Sequence, residues 1–153
     1  MNDARSGLPA VEARLVDALG SIRSRARSDT KVVLVPYPYL SNRDDDTLIY
    51  RRLGLVESDR YEAGAEVRRL GEAGDQAQRR EVDAANRAAG TPFVTYVDDV
   101  KAHFAGHKPD PSASERNPAR WLHEFDSYIP AEWYHCNTEG HGQLASLVSR
   151  GGA

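Results

Sequence analysis

An α/β domain built on a parallel sheet is predicted by three features of this 153-residue sequence. Lys31-Val32-Val33-Leu34-Val35 and Phe93-Val94-Thr95-Tyr96-Val97 are continuous apolar runs rich in β-branched residues. Such runs read as strands covered on both faces, the burial pattern of parallel sheets. Between them, residues 81 to 89 place Val82, Ala85 and Ala89 on one side of a helix, which completes a strand–helix–strand order.

Upstream of the first strand, residues 9 to 26 read as a helix, because Val11, Leu15, Ala18, Leu19 and Ile22 recur at intervals of three and four. Pro36 and Pro38 end the first strand, since neither can donate to a sheet ladder. Tyr37 and Tyr39 therefore lie at its carboxyl end, where open α/β sheets usually place ligands. The polar run from Ser41 to Asp46 is expected to cap a short helix beginning near Thr47, with Leu48, Ile49, Leu53 and Leu55 as its apolar side. Tyr61 to Ala89 reads as one long helix, or as two joined around Gly71 and Gly74, with Gly90 as C-cap and Pro92 as the stop beyond it.

The second strand ends in Asp98-Asp99. Lys108 to Pro118 holds three prolines with serines and aspartate, hence a surface excursion. Trp121 to Phe125 reads as a short packed turn or helix, and residues 140 to 149 as a final helix with Leu144, Leu147 and Val148 inward. Two strong strands and three or four helices do not complete a parallel sheet. The expectation is one domain, residues 1–153, forming part of a larger α/β unit and leaving a strand edge uncovered.

Composition excludes several classes of function. Apolar residues make up 40% and charged residues 28%, outside the disordered range. The formal net charge is -3, and the arginines are interleaved with acids, so no basic field invites nucleic acid or an anionic membrane. Cys136 is the only cysteine, which rules out an internal disulfide and a cysteine-only metal site. No apolar run is long enough for a membrane span or, at the N-terminus, for a signal peptide. A cytoplasmic location is the expectation for the chain as written, and secretion the expectation if a longer precursor carries a signal.

The densest polar segment is Glu132-Trp133-Tyr134-His135-Cys136-Asn137-Thr138-Glu139-Gly140-His141. His135 is the natural general base, able near neutral pH to take a hydroxyl proton and return it to a leaving group. A base needs an orienting group on its other nitrogen, and Glu132 stands three residues back, within reach on a turn. Against this stands an ordinary loop histidine. His103 and His107 have the four-residue spacing of helix-borne metal ligands, but Phe104 stands where an activating glutamate belongs and Gly106 weakens the helix. Three adjacent aspartates, Asp44 to Asp46, fit a solvated helix start better than an ion site. Neither a metal nor another cofactor is expected. Cys136 adjoins His135, and neighbouring side chains diverge, which is poor geometry for a Cys–His pair.

The segment E-W-Y-H-C-N-T-E-G-H, residues 132 to 141, resembles the closing block D-x-x-H-P-N-x-x-G-H of the SGNH/GDSL hydrolase family. V-V-L-V-P-Y-P resembles the strand that follows the family's G-x-N-D block, and F-A-G-H at 104 to 107, followed by W-L-H-E-F, resembles the run leading into the histidine block. The resemblance spans most of the chain, with the closing block its specific part. It implies a flavodoxin-like three-layer α/β/α fold and an esterase or lipase lineage, with His135 as catalytic histidine and Glu132 in place of the usual aspartate.

The glutamate is one methylene longer, and Cys136 stands where the family has proline. Gly140 and His141 match. No G-D-S block and no G-x-N-D block occurs, and no serine lies in a G-x-S-x-G elbow. Ser41, beyond the first strand, is the least unsuitable substitute.

Nucleophile and oxyanion donors supply most of acyl-transfer catalysis. The expectation is therefore a carboxyl-terminal fragment of a serine hydrolase, inactive alone, that meets a small ester substrate when an upstream polypeptide completes it. The alternative is a non-catalytic, partner-binding or self-associating module derived from a hydrolase.

Overall fold

The computed structural model describes residues 6–41, 47–51, 58–62, 64–109, 117–123 and 134–151. Helix α1 spans Leu8–Arg25, with Pro9 in its first turn, where a missing N–H costs nothing. Strand β1, Val32–Leu34, follows, then β2, Thr47–Arg51, and β3, Ser58–Glu62. Helix α2 runs from Gly64 to Ala89 and β4 from Val94 to Tyr96. A single turn, α3, covers Val100–His103, and α4 closes the order at Thr138–Gly151.

The two predicted strands pair in parallel, Val32 with Val94 and Leu34 with Tyr96. Their side chains divide between two cores, as the period-two geometry of strands requires. Val32 and Leu34 pack with Leu19 of α1, with Val82, Ala85 and Ala89 of α2, and with Phe93. Val33 and Val35 pack on the opposite face with Val97, Val100, Phe104, Leu122 and Leu147. Helices therefore flank the sheet on both sides. Among the described residues this sheet has two strands, which is why β1 is half-buried along its length rather than fully covered.

Two expectations need correction. Residues 47 to 51 form no helix: β2 pairs antiparallel with β3, from Thr47–Glu62 to Arg51–Ser58. Thr47, Ile49 and Tyr50 are β-branched or aromatic, and that preference outweighs the helical spacing of the leucines. Leu53 and Leu55 lie outside the described residues, as do Asp44 to Asp46. Secondly, Tyr61 belongs to β3 and the long helix α2 begins at Gly64; of the two readings, one continuous helix is the one found. Gly71 persists inside it because the Tyr39 ring packs there, 3.1 Å from where a Cβ would stand.

Helix α1 does not bury its whole apolar stripe. Leu19 is buried, whereas Val11 is 53% and Ile22 40% exposed. Val16, also exposed, borders an open apolar groove of about 290 Å³ between α1 and α2. Gly90, at φ +66, caps α2 as expected.

Candidate active site

The carboxyl end of β1 supplies the first part of the site. Beyond Val35 the chain runs Pro36-Tyr37-Pro38-Tyr39, and Tyr37 stands 47% exposed. Its backbone carbonyl accepts a hydrogen bond from Lys101 Nζ of α3 at 2.9 Å. The same ammonium pairs with Asp75 of α2 at 2.5 Å, both side chains being largely buried. This pair ties the helices of opposite layers together across the carboxyl edge of the sheet. The Tyr39 ring lies against α2 among Arg68, Lys101 and Lys108, whose cationic groups stand 4.8, 5.2 and 5.3 Å from its centroid.

A hydrogen bond joins the histidine loop to this edge. Tyr37 Oη donates to the carbonyl oxygen of Tyr134 at 2.5 Å. Tyr134 has φ 65, the left-handed region that costs a non-glycine residue about 1–2 kcal/mol. Its N–H donates to the His123 carbonyl at 3.0 Å, and the His123 N–H returns a bond to the His135 carbonyl at 2.8 Å. Leu122 and Cys136 form an antiparallel bridge in the same place. The backbone of His135 is thus fixed on both sides while its side chain is exposed. Glu132 and Trp133 lie outside the described residues.

The turn into α4 is as constrained. Asn137 is the N-cap: its Oδ1 accepts the Gly140 N–H at 2.9 Å, and its Nδ2 donates to the Arg120 carbonyl at 2.9 Å. A Cβ on Gly140 would stand 2.1 Å from the Trp121 carbonyl oxygen, so only glycine fits. The sequence match at this glycine thus has a steric cause.

The remaining candidates find other roles. His107 stacks on Trp121 at 3.5 Å between centroids and 4° between planes, and its Nδ1 bonds the Ala119 carbonyl at 2.6 Å. His103 is tilted against the same indole, with Nε2 2.8 Å from Gln143 Oε1. Both are packing histidines. Among the described residues no group of three His, Cys, Asp or Glu is placed to hold a metal ion.

Cys136 packs against the core, and burial pushes its thiol above the ordinary value, away from the thiolate a nucleophile needs. Ser41 is 1% exposed, closed to a substrate. Tyr37 is likewise held protonated, chiefly by burial and secondarily by the neighbouring Cys136. It is a hydrogen-bond donor, not a base. The Lys101–Asp75 clamp was hidden in the sequence, where its members stand 26 residues apart. The Asn137 cap was readable as an asparagine before a helix.

No protein-family model and no curated protein matches the chain. The fold is similar to that of phospholipase A1 from Streptomyces albidoflavus NA297, with a TM-score of 0.60 at 20% identity over 98% of this chain. The chain spans 55% of the length of that protein. The likeness is one of fold: a lipase-like α/β architecture.

Proposed function

We propose that this chain is the carboxyl-terminal part of an SGNH/GDSL-type ester hydrolase and supplies the histidine end of its catalytic site. The observation that carries this reading is the Tyr37–Tyr134 hydrogen bond. It sets the exposed His135 beside the carboxyl end of β1, the edge where α/β sheets carry their chemistry. The strained Tyr134 supports the same reading, because backbone strain is retained where surrounding structure holds a functional group in place. The lipase-like fold adds to it, and so does the steric need for Gly140 in the block that follows His135.

In the completed site a serine from another polypeptide segment attacks the ester carbonyl. His135 takes the hydroxyl proton and passes it to the departing alkoxide, and Glu132 orients the imidazole. Tyr37 stands at the rim, where the substrate enters. The test is complementation: the chain mixed with the polypeptide encoded immediately upstream, assayed on a short-chain p-nitrophenyl ester. Turnover that His135→Ala lowers by roughly 10⁴-fold is expected. Turnover unchanged in that variant overturns the assignment.

A second reading, a non-catalytic binding module, is favoured by the exposed aliphatic side chains of α1. It predicts binding of the upstream polypeptide without turnover.

A further inference from the structure

The segment that carries Tyr37 has little means of holding itself. Pro36 and Pro38 are buried and lack an N–H, so the run from Pro36 to Tyr39 has half the backbone donors of an ordinary segment. Its direction is set from outside, by Lys101. The Lys101 ammonium donates to the Tyr37 carbonyl at 2.9 Å and lies 5.2 Å from the centroid of the Tyr39 ring. One cation thus engages both tyrosines of the run.

Lys101 is in turn fixed by its surroundings. Its largely buried side chain pairs with the equally enclosed Asp75 of α2 at 2.5 Å. Its Cε lies 3.4 Å from where a Cβ on Gly71 would stand, so the stem runs along the gap this glycine leaves in α2. Val100, the residue before it, is fully buried and anchors α3 to the core. An ion pair so enclosed gives little net stability, because desolvating two charges offsets their attraction. Its value lies in the fixed direction of the donor.

The far end of this chain of contacts is under strain. Tyr37 Oη donates to the Tyr134 carbonyl, and Tyr134 is the one non-glycine residue at positive φ among the described residues. Such a residue relaxes out of the left-handed region unless its surroundings oppose it. Relaxation here swings the peptide that joins Tyr134 to His135 and carries the imidazole with it.

We infer that Lys101, braced by Asp75, is a positioning residue for His135. Through Tyr37 it holds Tyr134 left-handed, and so fixes the direction of the imidazole. The inference rests on the functional reading above and adds to it the device that aims the base. The buried pair is then kept for the direction it imposes on the histidine loop, more than for stability.

The experiment is NMR of the intact chain beside Tyr37→Phe and beside the double substitution Asp75→Leu with Lys101→Met. The double substitution removes the pair without leaving one charge buried alone. Both variants are expected to lose the Tyr134 backbone coupling of positive φ and to shift the His135 ring resonance. The Tyr134 and His123 amides, which bond across the loop, should exchange roughly tenfold faster, the effect of losing about one hydrogen bond. Amides of residues 144 to 150 in α4 should be unchanged. Tyr37→Phe added to the double variant should produce no further change, because both act along one path. A pair that merely supports the fold would alter the urea midpoint, yet leave the Tyr134 coupling and the His135 resonance in place. That result, or changes that add to those of Tyr37→Phe, overturns the inference. If the double variant fails to fold, the wild-type chain decides. There a negative Tyr134 φ, or Lys101 ammonium protons that exchange as freely as those of an exposed lysine, overturns it. NMR reads the direction of His135 and the His135→Ala comparison reads turnover, so either reading can fail while the other stands.

Discussion

Gly140 shows how tightly single residues shape the histidine turn. A methyl group there would collide with the Trp121 carbonyl at 2.1 Å, so Gly140→Ala must push α4 away from the 121–123 segment. We expect a loss of about 3 kcal/mol in urea unfolding, the upper range for overpacking a close contact. The part Gly140 plays in the turn into α4 was legible in the sequence because that turn is local. Tyr37 was legible only as a residue near the site, since its bond to Tyr134 spans 97 positions. Titration gives a second prediction at this scale. Burial, foremost, raises the proton affinities of Cys136, Tyr37, Tyr39 and Tyr96, with the Asp75 carboxylate adding to the effect at Tyr96. The folded state holds these protons more tightly than the unfolded chain, so their contribution is complete below the unfolded values. Unfolding free energy should therefore fall as pH rises above about 8.5, where the unfolded thiol and then the phenols ionise. A urea midpoint that stays flat from pH 8 to pH 11 contradicts this.

At the scale of elements, α4 depends on its start. Asn137 caps the helix and also holds the Arg120 carbonyl. Asn137→Ala should cost about 1–2 kcal/mol, the range for losing a helix cap, with fraying visible as faster amide exchange over residues 138 to 141. The elements predicted best were those with one dominant signal. β1 and β4 are uninterrupted β-branched runs, and Val82, Ala85 and Ala89 mark the buried side of α2. The β2–β3 hairpin escaped because Leu48, Leu53 and Leu55 mimic a helical face while strand pairing depends on partners further along the chain, from Thr47–Glu62 to Arg51–Ser58. Gly71 suggested a break in α2 for a similar reason, its actual use being tertiary contact with Tyr39. The stripe on α1 was read correctly as helical. Periodicity locates a face without saying what covers it, and Val11 and Ile22 on that stripe stand exposed.

For the molecule as a whole, the strand count was the most informative feature of the sequence. Two parallel strands carry helices on both faces, yet β1 remains half-buried and one of its edges has no partner among the described residues. The architecture is lipase-like and spans 55% of the phospholipase it resembles. On the proposed reading the chain contributes a general base, while neither nucleophile candidate among the described residues is available: Ser41 is enclosed, and Cys136 is held as a thiol. General base catalysis without the nucleophile and oxyanion donors gives little acceleration. The most direct measurement is hydrolysis of a short-chain p-nitrophenyl ester by the purified chain, beside its His135→Ala variant. The account predicts equal, near-background rates for the two proteins. Clear turnover that disappears in H135A would contradict it, establishing a complete catalytic site within these 153 residues.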